Sequence, residues 1–220
     1  MKNLEIPTKR GILLDATLFC ETKDSISIVI AIVGIHAKTE ENPFYYNIGT
    51  TLNKGNIDFL FTQTCDAIKK ITKKNVITGK NETFGSFNED FNNAEDDIEA
   101  YVNYAENKKY KHIYLAGHSL GANKVIYYLS KNHDPRIRKY ILLSPADIKG
   151  LFEKNTEEEK KMIKEYKDKN KDNVIIPFLL FGWFECITKT AYDWAFNNLL
   201  DNIHSDKNGD ISQISNITHS

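Results

Sequence analysis

This chain is short of three things, and each shortage removes a class of protein. Cysteine is the first: Cys20, Cys65 and Cys186 are odd in number, widely separated and form no C-x-x-C pair. Such spacing suggests neither a zinc site nor a disulfide framework, and it fits a reducing, cytoplasmic compartment. Long apolar runs are the second. The longest, Ile26 to Ile35, falls well below the ~20 residues of a membrane helix. The opening Met1-Lys2-Asn3-Leu4-Glu5 carries an acid, and then Pro7, where a signal peptide needs its apolar stretch. The expectation is a soluble chain with no membrane span. Charge of one sign is the third: 29 Lys and Arg face 30 Asp and Glu, a formal net charge of −1. Nothing in that balance draws the chain to nucleic acid or anionic lipid.

Two kinds of motif are missing as well. No GK[ST] follows a glycine loop, and the six histidines are scattered, so neither a phosphate-binding loop nor a metal cluster is indicated and no cofactor is implied. No internal repeat is visible. What is present is a 41% share of hydrophobic residues, enough for one buried core in a chain of single-domain length.

The apolar pattern alternates between strand and helix. Leu4-Glu5-Ile6-Pro7 and Gly11 to Cys20 read as an opening β-hairpin. Ile26 to Gly34 is nearly continuous and β-branched, the pattern of a strand buried on both faces of a parallel sheet. Pro43 suits the first turn of a helix running to about Leu52, ended by Gly55. Ile57 to Thr62 is a second buried strand, followed by a long polar loop holding Gly79 and Gly85. Ile98, Tyr101, Val102 and Ala105 recur at helical spacing and place a helix over 94–107, with Glu95, Asp96 and Asp97 in its first turn. His112 to Ala116 is a strand, Leu120 to about Lys131 a helix, and Tyr140 to Leu143 a short strand. This β-α-β-α-β-α-β order implies a mostly parallel sheet with helices on both faces, whose ligands bind beyond the strands' carboxyl ends. From Leu151 the character changes to a mixed-charge helix, an apolar and aromatic stretch from Val174 to Ile187, and a helical pattern from Ala191 to Ile203.

One motif carries chemistry. Gly117-His118-Ser119-Leu120-Gly121 is a G-x-S-x-G between a buried strand and a helix. In such an elbow the serine takes a strained backbone conformation, and residues two before and two after it pass so close to neighbouring backbone that only glycine fits. The turn lifts Oγ above the sheet and aims the Leu120 N–H at a developing oxyanion.

This segment, following His112-Ile113-Tyr114-Leu115-Ala116, resembles the nucleophile elbow of esterase- and lipase-type members of the α/β-hydrolase superfamily. Ile32-Val33-Gly34-Ile35-His36-Ala37 is similar to that family's strand-end His-Gly segment, and Tyr140 to Asp147 resembles its next strand. The likeness covers Leu4 to about Gly150. It implies an α/β-hydrolase fold with an N-terminal β-hairpin and a helical cap after the fourth parallel strand. It also implies hydrolysis of a small-molecule ester or related acyl bond by Ser119, with the oxyanion held by the Leu120 N–H and by an N–H of the first loop. Alanine stands where the family has glycine after the histidine, which leaves Ala37 and Lys38 as candidates for that second donor. His36, Phe44 and His118 fall along the substrate's path in this reading. For His36 the competing role is a structural bond to the loop backbone, and for the Phe44 segment it is a helix start packed on the sheet.

A serine hydroxyl needs a histidine to take its proton and an acid to orient that histidine, in the chain order serine, acid, histidine. Only His133, His204 and His219 lie beyond Ser119. His133 directly follows the elbow helix and belongs at the other end of the sheet. Two arrangements remain open. In one, Val174 to Phe181 is a further strand, Glu185 or Asp193 the acid and His204 the base. In the other, which the charged helix and aromatic cluster favour, Leu151 to about Ile203 is a cap, and the chain stops before the last core strands. The expected division is then 1–150 as hydrolase core and 151–220 as a cap-like helical segment, in a C-terminally truncated chain. Asp147 is the candidate acid in either case, against a competing role as a helix cap. The aromatic cluster Phe178, Phe181, Trp183, Phe184, Tyr192 and Trp194 lines an acyl pocket or forms the cap's own core. The rival functions are a non-catalytic binding protein on the same fold and acyl transfer to an alcohol or amine.

Overall fold

A computed structural model describes residues 1–21, 24–38, 41–197, 200 and 209–218. Period-two alternation along the middle strand shows how the layers form. In β3 (Ser27–Ile32), Ile28, Ile30 and Ile32 face one way and Val29 and Ala31 the other, and all five are buried. The first set packs with Ile98 and Tyr101 of α2 (Ala94–Asn107) and with Val125, Tyr128 and Leu129 of α3 (Leu120–Asn132). The second packs with Tyr45 of α1 (Pro43–Lys54). One strand therefore feeds two cores, which is why its sequence reads as continuously apolar.

Among the described residues the main sheet has six strands, in the order β1 (Lys2–Pro7), β2 (Leu13–Phe19), β4 (Asp58–Thr62), β3, β7 (His112–His118) and β8 (Ile137–Leu143). β1 and β2 form the antiparallel hairpin expected at the start, and β2 also pairs antiparallel with β4. β4, β3, β7 and β8 run parallel. The mostly parallel sheet with helices on both faces is thus as expected. α2 occupies the residues that its periodicity indicated.

β8 closes one edge of the sheet. On the α1 face the register sets Ala116 beside Ile141 and His118 beside Leu143. Ile141 and Leu143 remain exposed there, and an apolar cleft of about 200 Å³ lies between them and α1.

Two segments differ from expectation. The polar stretch after β4 is not a plain loop but carries a second hairpin, β5 (Ile71–Lys74) and β6 (Asn81–Phe84). Its turn is built by Asn75, whose Oδ1 accepts the N–H groups of Ile77 and Thr78, and by Gly79 at a φ of 71°. Short lysine- and threonine-rich strands hide this hairpin from an apolar-pattern reading. Val174 to Phe181 is not a strand of the main sheet. It makes only isolated bridges, Ile175 with Ile187 and Leu180 with Phe184, and folds back on itself at Phe181 and Gly182.

Beyond β8 lie α4 (Ile148–Phe152), α5 (Glu157–Asp168) and α6 (Thr188–Phe196). α5 opens with a capping box in which Thr156 and Glu159 exchange hydrogen bonds. Phe181, Phe184 and Trp194 stack near-parallel, with centroids 6.3 Å and 4.9 Å apart in the two pairs that include Trp194, and all three are buried. The aromatic cluster is in large part the segment's own core. It sits against Leu120 and Tyr127, so this layer lies over the elbow helix. A last short helix, α7 (Ser212–Ser215), packs beside α3.

Candidate functional site

The elbow forms because of what surrounds it. Ser119 adopts φ 54° and ψ −129° between β7 and α3, a conformation that costs an L-residue about 1–3 kcal/mol. Three glycines permit it. A Cβ on Gly117 would lie 2.5 Å from the Ala122 Cα, and one on Gly121 would strike the Ile32 and Val33 carbonyl oxygens. On Gly34, at the end of β3, a Cβ would fall 2.9 Å from the Ser119 Cβ and 3.2 Å from its Oγ. Gly34 thus keeps the space beside the hydroxyl open. The turn is pinned by the Ser119 N–H to the Leu143 carbonyl (3.0 Å) and by the Ala122 N–H to the Ser119 carbonyl (3.0 Å). Ser119 is partly exposed at the carboxyl end of β7, and Leu120 begins α3, where N–H groups have no partner within the helix.

The loop after β3 comes to this point from the side. His36 sits at a φ of 55°, gives its N–H to the Asp66 carbonyl (3.2 Å) and brings Nε2 to 2.7 Å from the buried Ser86 Oγ. Its ring lies against Trp183 and Phe184, centroids 6.2 and 6.4 Å away. Burial lowers its pKa, with Lys69 and Lys38 adding to the effect and Asp66 opposing it. The ring thus ties the loop after β3 to the Ser86 side chain and faces the helical segment. Ala37 is buried with Val33 and Tyr45 in the layer beneath α1, while Lys38 faces Glu41 at 3.5 Å.

His118 turns away from Ser119. Its Nδ1 lies 2.7 Å from the Tyr45 hydroxyl, whose pKa burial raises, and Phe44 packs on both rings from an exposed position. Asp147 caps α4, its Oδ1 accepting the Gly150 N–H at 2.9 Å. That is the capping role the sequence offered as its alternative. His133 ends α3 at the opposite end from Ser119, with Nδ1 3.3 Å from the Thr218 hydroxyl. Glu185 pairs with Lys69 and Asp193 with Lys189. His204 and His219 lie outside the described residues. Among the described residues no histidine bonds to the Ser119 hydroxyl, and no group of His, Cys, Asp and Glu could hold a metal ion.

Sequence reasoning passed over four residues behind the elbow. Asn123, fully buried, accepts the Ala146 N–H and donates to the Ala146 carbonyl, which ties the loop after β8 to α3. Lys124, 1% exposed, reaches Asp66 Oδ1 at 2.5 Å and Glu89 Oε1 at 2.6 Å. The available signal was a lysine four residues after Leu120 and three before Tyr127, on the buried stripe of an otherwise apolar helix.

A parallel sheet with a strained serine on a glycine-walled elbow at a strand's carboxyl end defines the class: this is an α/β-hydrolase-fold protein. The chain belongs to the DUF1749 family, described as a protein of unknown function, whose model matches residues 60–195. Among solved structures it is similar to the α/β hydrolase GrgF from Penicillium sp. sh18, at 14% identity and a TM-score of 0.60 over 87% of this chain and 71% of that one. It is similar to Est1E from Butyrivibrio proteoclasticus, solved with ferulic acid bound, at 25% identity and a TM-score of 0.51 over 70% and 57% of the two chains. An esterase from Pyrococcus furiosus matches at 19% identity and a TM-score of 0.52, over 76% of this chain and 56% of that one. The chain thus spans little more than half of the last two. No curated protein matches it in sequence. Among the described residues no helix is long and apolar enough to cross a membrane.

Proposed function

We propose that this protein is a serine hydrolase that cleaves an ester or related acyl bond with Ser119 as nucleophile. The observation that carries the reading is the backbone of Ser119, held strained where Gly34, Gly117 and Gly121 each give way to it. Strain of this kind persists only where the surroundings over-determine it, and here it sets a hydroxyl at a helix N-terminus with space alongside.

In the reaction Ser119 Oγ attacks the carbonyl carbon, its proton passing to a base, and the carbonyl oxygen becomes an oxyanion. The Leu120 N–H is one donor to that oxygen. The other comes from the loop after β3, where the Ala37 and Lys38 N–H groups are the candidates and Ile35, directly after Gly34, is a third. The His36 N–H is committed to Asp66, and Ala37 is packed beneath α1. One such donor is worth about 3–4 kcal/mol of transition-state stabilisation. Collapse of the oxyanion expels the alcohol or other leaving group, and water then releases the acyl group from Ser119. An alcohol or amine in place of that water gives acyl transfer. Phe44, His36 and His118 border the approach, and residues 151–220 act as a cap on a core of residues 1–150. His204 is the candidate base, and Asp147 the candidate acid in competition with its capping bond.

A fluorophosphonate probe tests the reading, because it labels only an activated serine. Wild type is expected to be labelled and Ser119→Ala not. A well-folded wild type that resists the probe rejects the reading. That result would favour the second one, a binding protein on the same fold, for which the observation is that no described histidine bonds to Ser119.

A further inference from the structure

Behind the elbow lies a group of charges that neither the sheet nor the proposed chemistry requires. Lys124 is on α3, Asp66 and Thr64 follow β4, and Glu89 precedes α2; all four are buried. The Lys124 ammonium meets Asp66 Oδ1, Glu89 Oε1 and the Thr64 hydroxyl (3.2 Å), and Thr64 donates to Asp66 Oδ1 at 2.6 Å. Each carboxylate also holds a separate part of the molecule through its backbone. The Asp66 carbonyl accepts the His36 N–H of the loop after β3, and the Glu89 carbonyl accepts the Thr190 hydroxyl of α6 at 2.8 Å. Three units that meet at Ser119 are thus joined at one point: the elbow helix, the loop beside Gly34 and the helical segment.

We propose that Lys124, Asp66 and Glu89 are positioning residues, a buried hub that sets the elbow helix, the β3 loop and the cap in register around Ser119. The proposal rests on the serine-hydrolase reading. In it, the two oxyanion donors belong to separate elements, the Leu120 N–H to α3 and the second N–H to the β3 loop, so their spacing depends on what ties those elements together. Asp66 does so, by its side chain to one and its carbonyl to the other. None of the three residues touches substrate.

The hub's charge does not balance by itself. One ammonium faces two buried carboxylates, and among the described residues the outer oxygens, Asp66 Oδ2 and Glu89 Oε2, have no hydrogen-bond partner. Burial opposes the charge on Lys124, but Asp66 and Glu89 outweigh it and hold its pKa above the ordinary lysine value. Burial, and then Asp66, push the Glu89 carboxyl up to about 8, against the pull of Lys124. The other groups facing the hub are Asp97 of α2, itself paired with Arg10, the Cys65 thiol, which burial raises, and His36 of the β3 loop, whose charge Asp66 favours. A proton on Glu89 therefore neutralises the hub near pH 7, and its loss sets two carboxylates against each other behind the elbow.

The sign of the pH effect follows. Folded protein holds this proton more tightly than the unfolded chain, so the stabilisation is complete below about 4.5 and is lost as pH rises through about 8. Glu89→Gln mimics the protonated form and has no proton to lose. Thermal midpoints and fluorophosphonate labelling rates are to be measured from about pH 5 to 9 for wild type, Glu89→Gln and Lys124→Met. Relative to Glu89→Gln, wild type is expected to lose thermal stability across that window and to label about threefold or more slowly at its alkaline end. Folded Lys124→Met is expected to label at least about tenfold more slowly than wild type. If the Glu89→Gln profiles superimpose on those of wild type, the hub is overturned, even where Lys124→Met fails to fold. Wild-type labelling by folded Lys124→Met overturns it too. Absence of labelling in wild type at every pH is a different result: it removes the serine reading and the positioning role with it.

Discussion

The two ends of the elbow helix's surroundings are built on opposite principles. Toward the sheet, Gly34, Gly117 and Gly121 let backbone meet backbone, with no side chain between. Toward α4–α6, large rings fill the space, with Phe181, Phe184 and Trp194 stacked over Leu120 and Tyr127. The first arrangement tolerates nothing larger than hydrogen; the second depends on volume and stacking, which several residue types can supply. Catalytic geometry is expected to depend on the first and the stability of the covering layer on the second.

The sharpest way to break the comparison is to empty the aromatic side. Phe184→Ala should cost about 3–5 kcal/mol, since the buried ring takes its transfer energy with it and leaves a cavity. Thermal or urea unfolding followed by Trp fluorescence would read the loss, because Trp194 is the ring stacked on Phe184. Gly121→Ala should cost a comparable amount, about 3 kcal/mol, because a Cβ there meets the Ile32 and Val33 carbonyls and only backbone can give way, and it should reduce probe labelling far more than Phe184→Ala does. Equal labelling by the two variants would mean that the contrast has no functional content. Asp147→Ala should show the smallest change, about 1 kcal/mol for a lost cap, with labelling close to wild type. A fall in its labelling of about a hundredfold or more would instead make Asp147 the triad acid.

How much of this was readable from the chain depended on the range of the interaction. α2 was legible to the residue because its apolar positions recur locally every three or four residues and its acids mark the first turn. The elbow was legible because its glycines flank the serine at fixed spacing. In the sequence Gly34 reads only as part of a strand end, and its part in clearing Oγ requires β3 to lie beside β7. The β5–β6 hairpin escaped because its strands are short and polar, so no apolar alternation announced them. The aromatic run from Val174 allowed a further strand, which the turn at Phe181 and Gly182, with φ values of 59° and 81°, breaks.

By itself the sequence determined a mostly parallel sheet, the helices on its two faces and the bend at Ser119, because periodicity and glycine spacing act between near neighbours. Tertiary structure alone decided that Lys124 should meet Asp66, 58 positions away, and that His36 and His118 should bond to Ser86 and Tyr45. Those are long-range partnerships between polar groups. A buried charge must find a partner, but nothing local in a chain says which one.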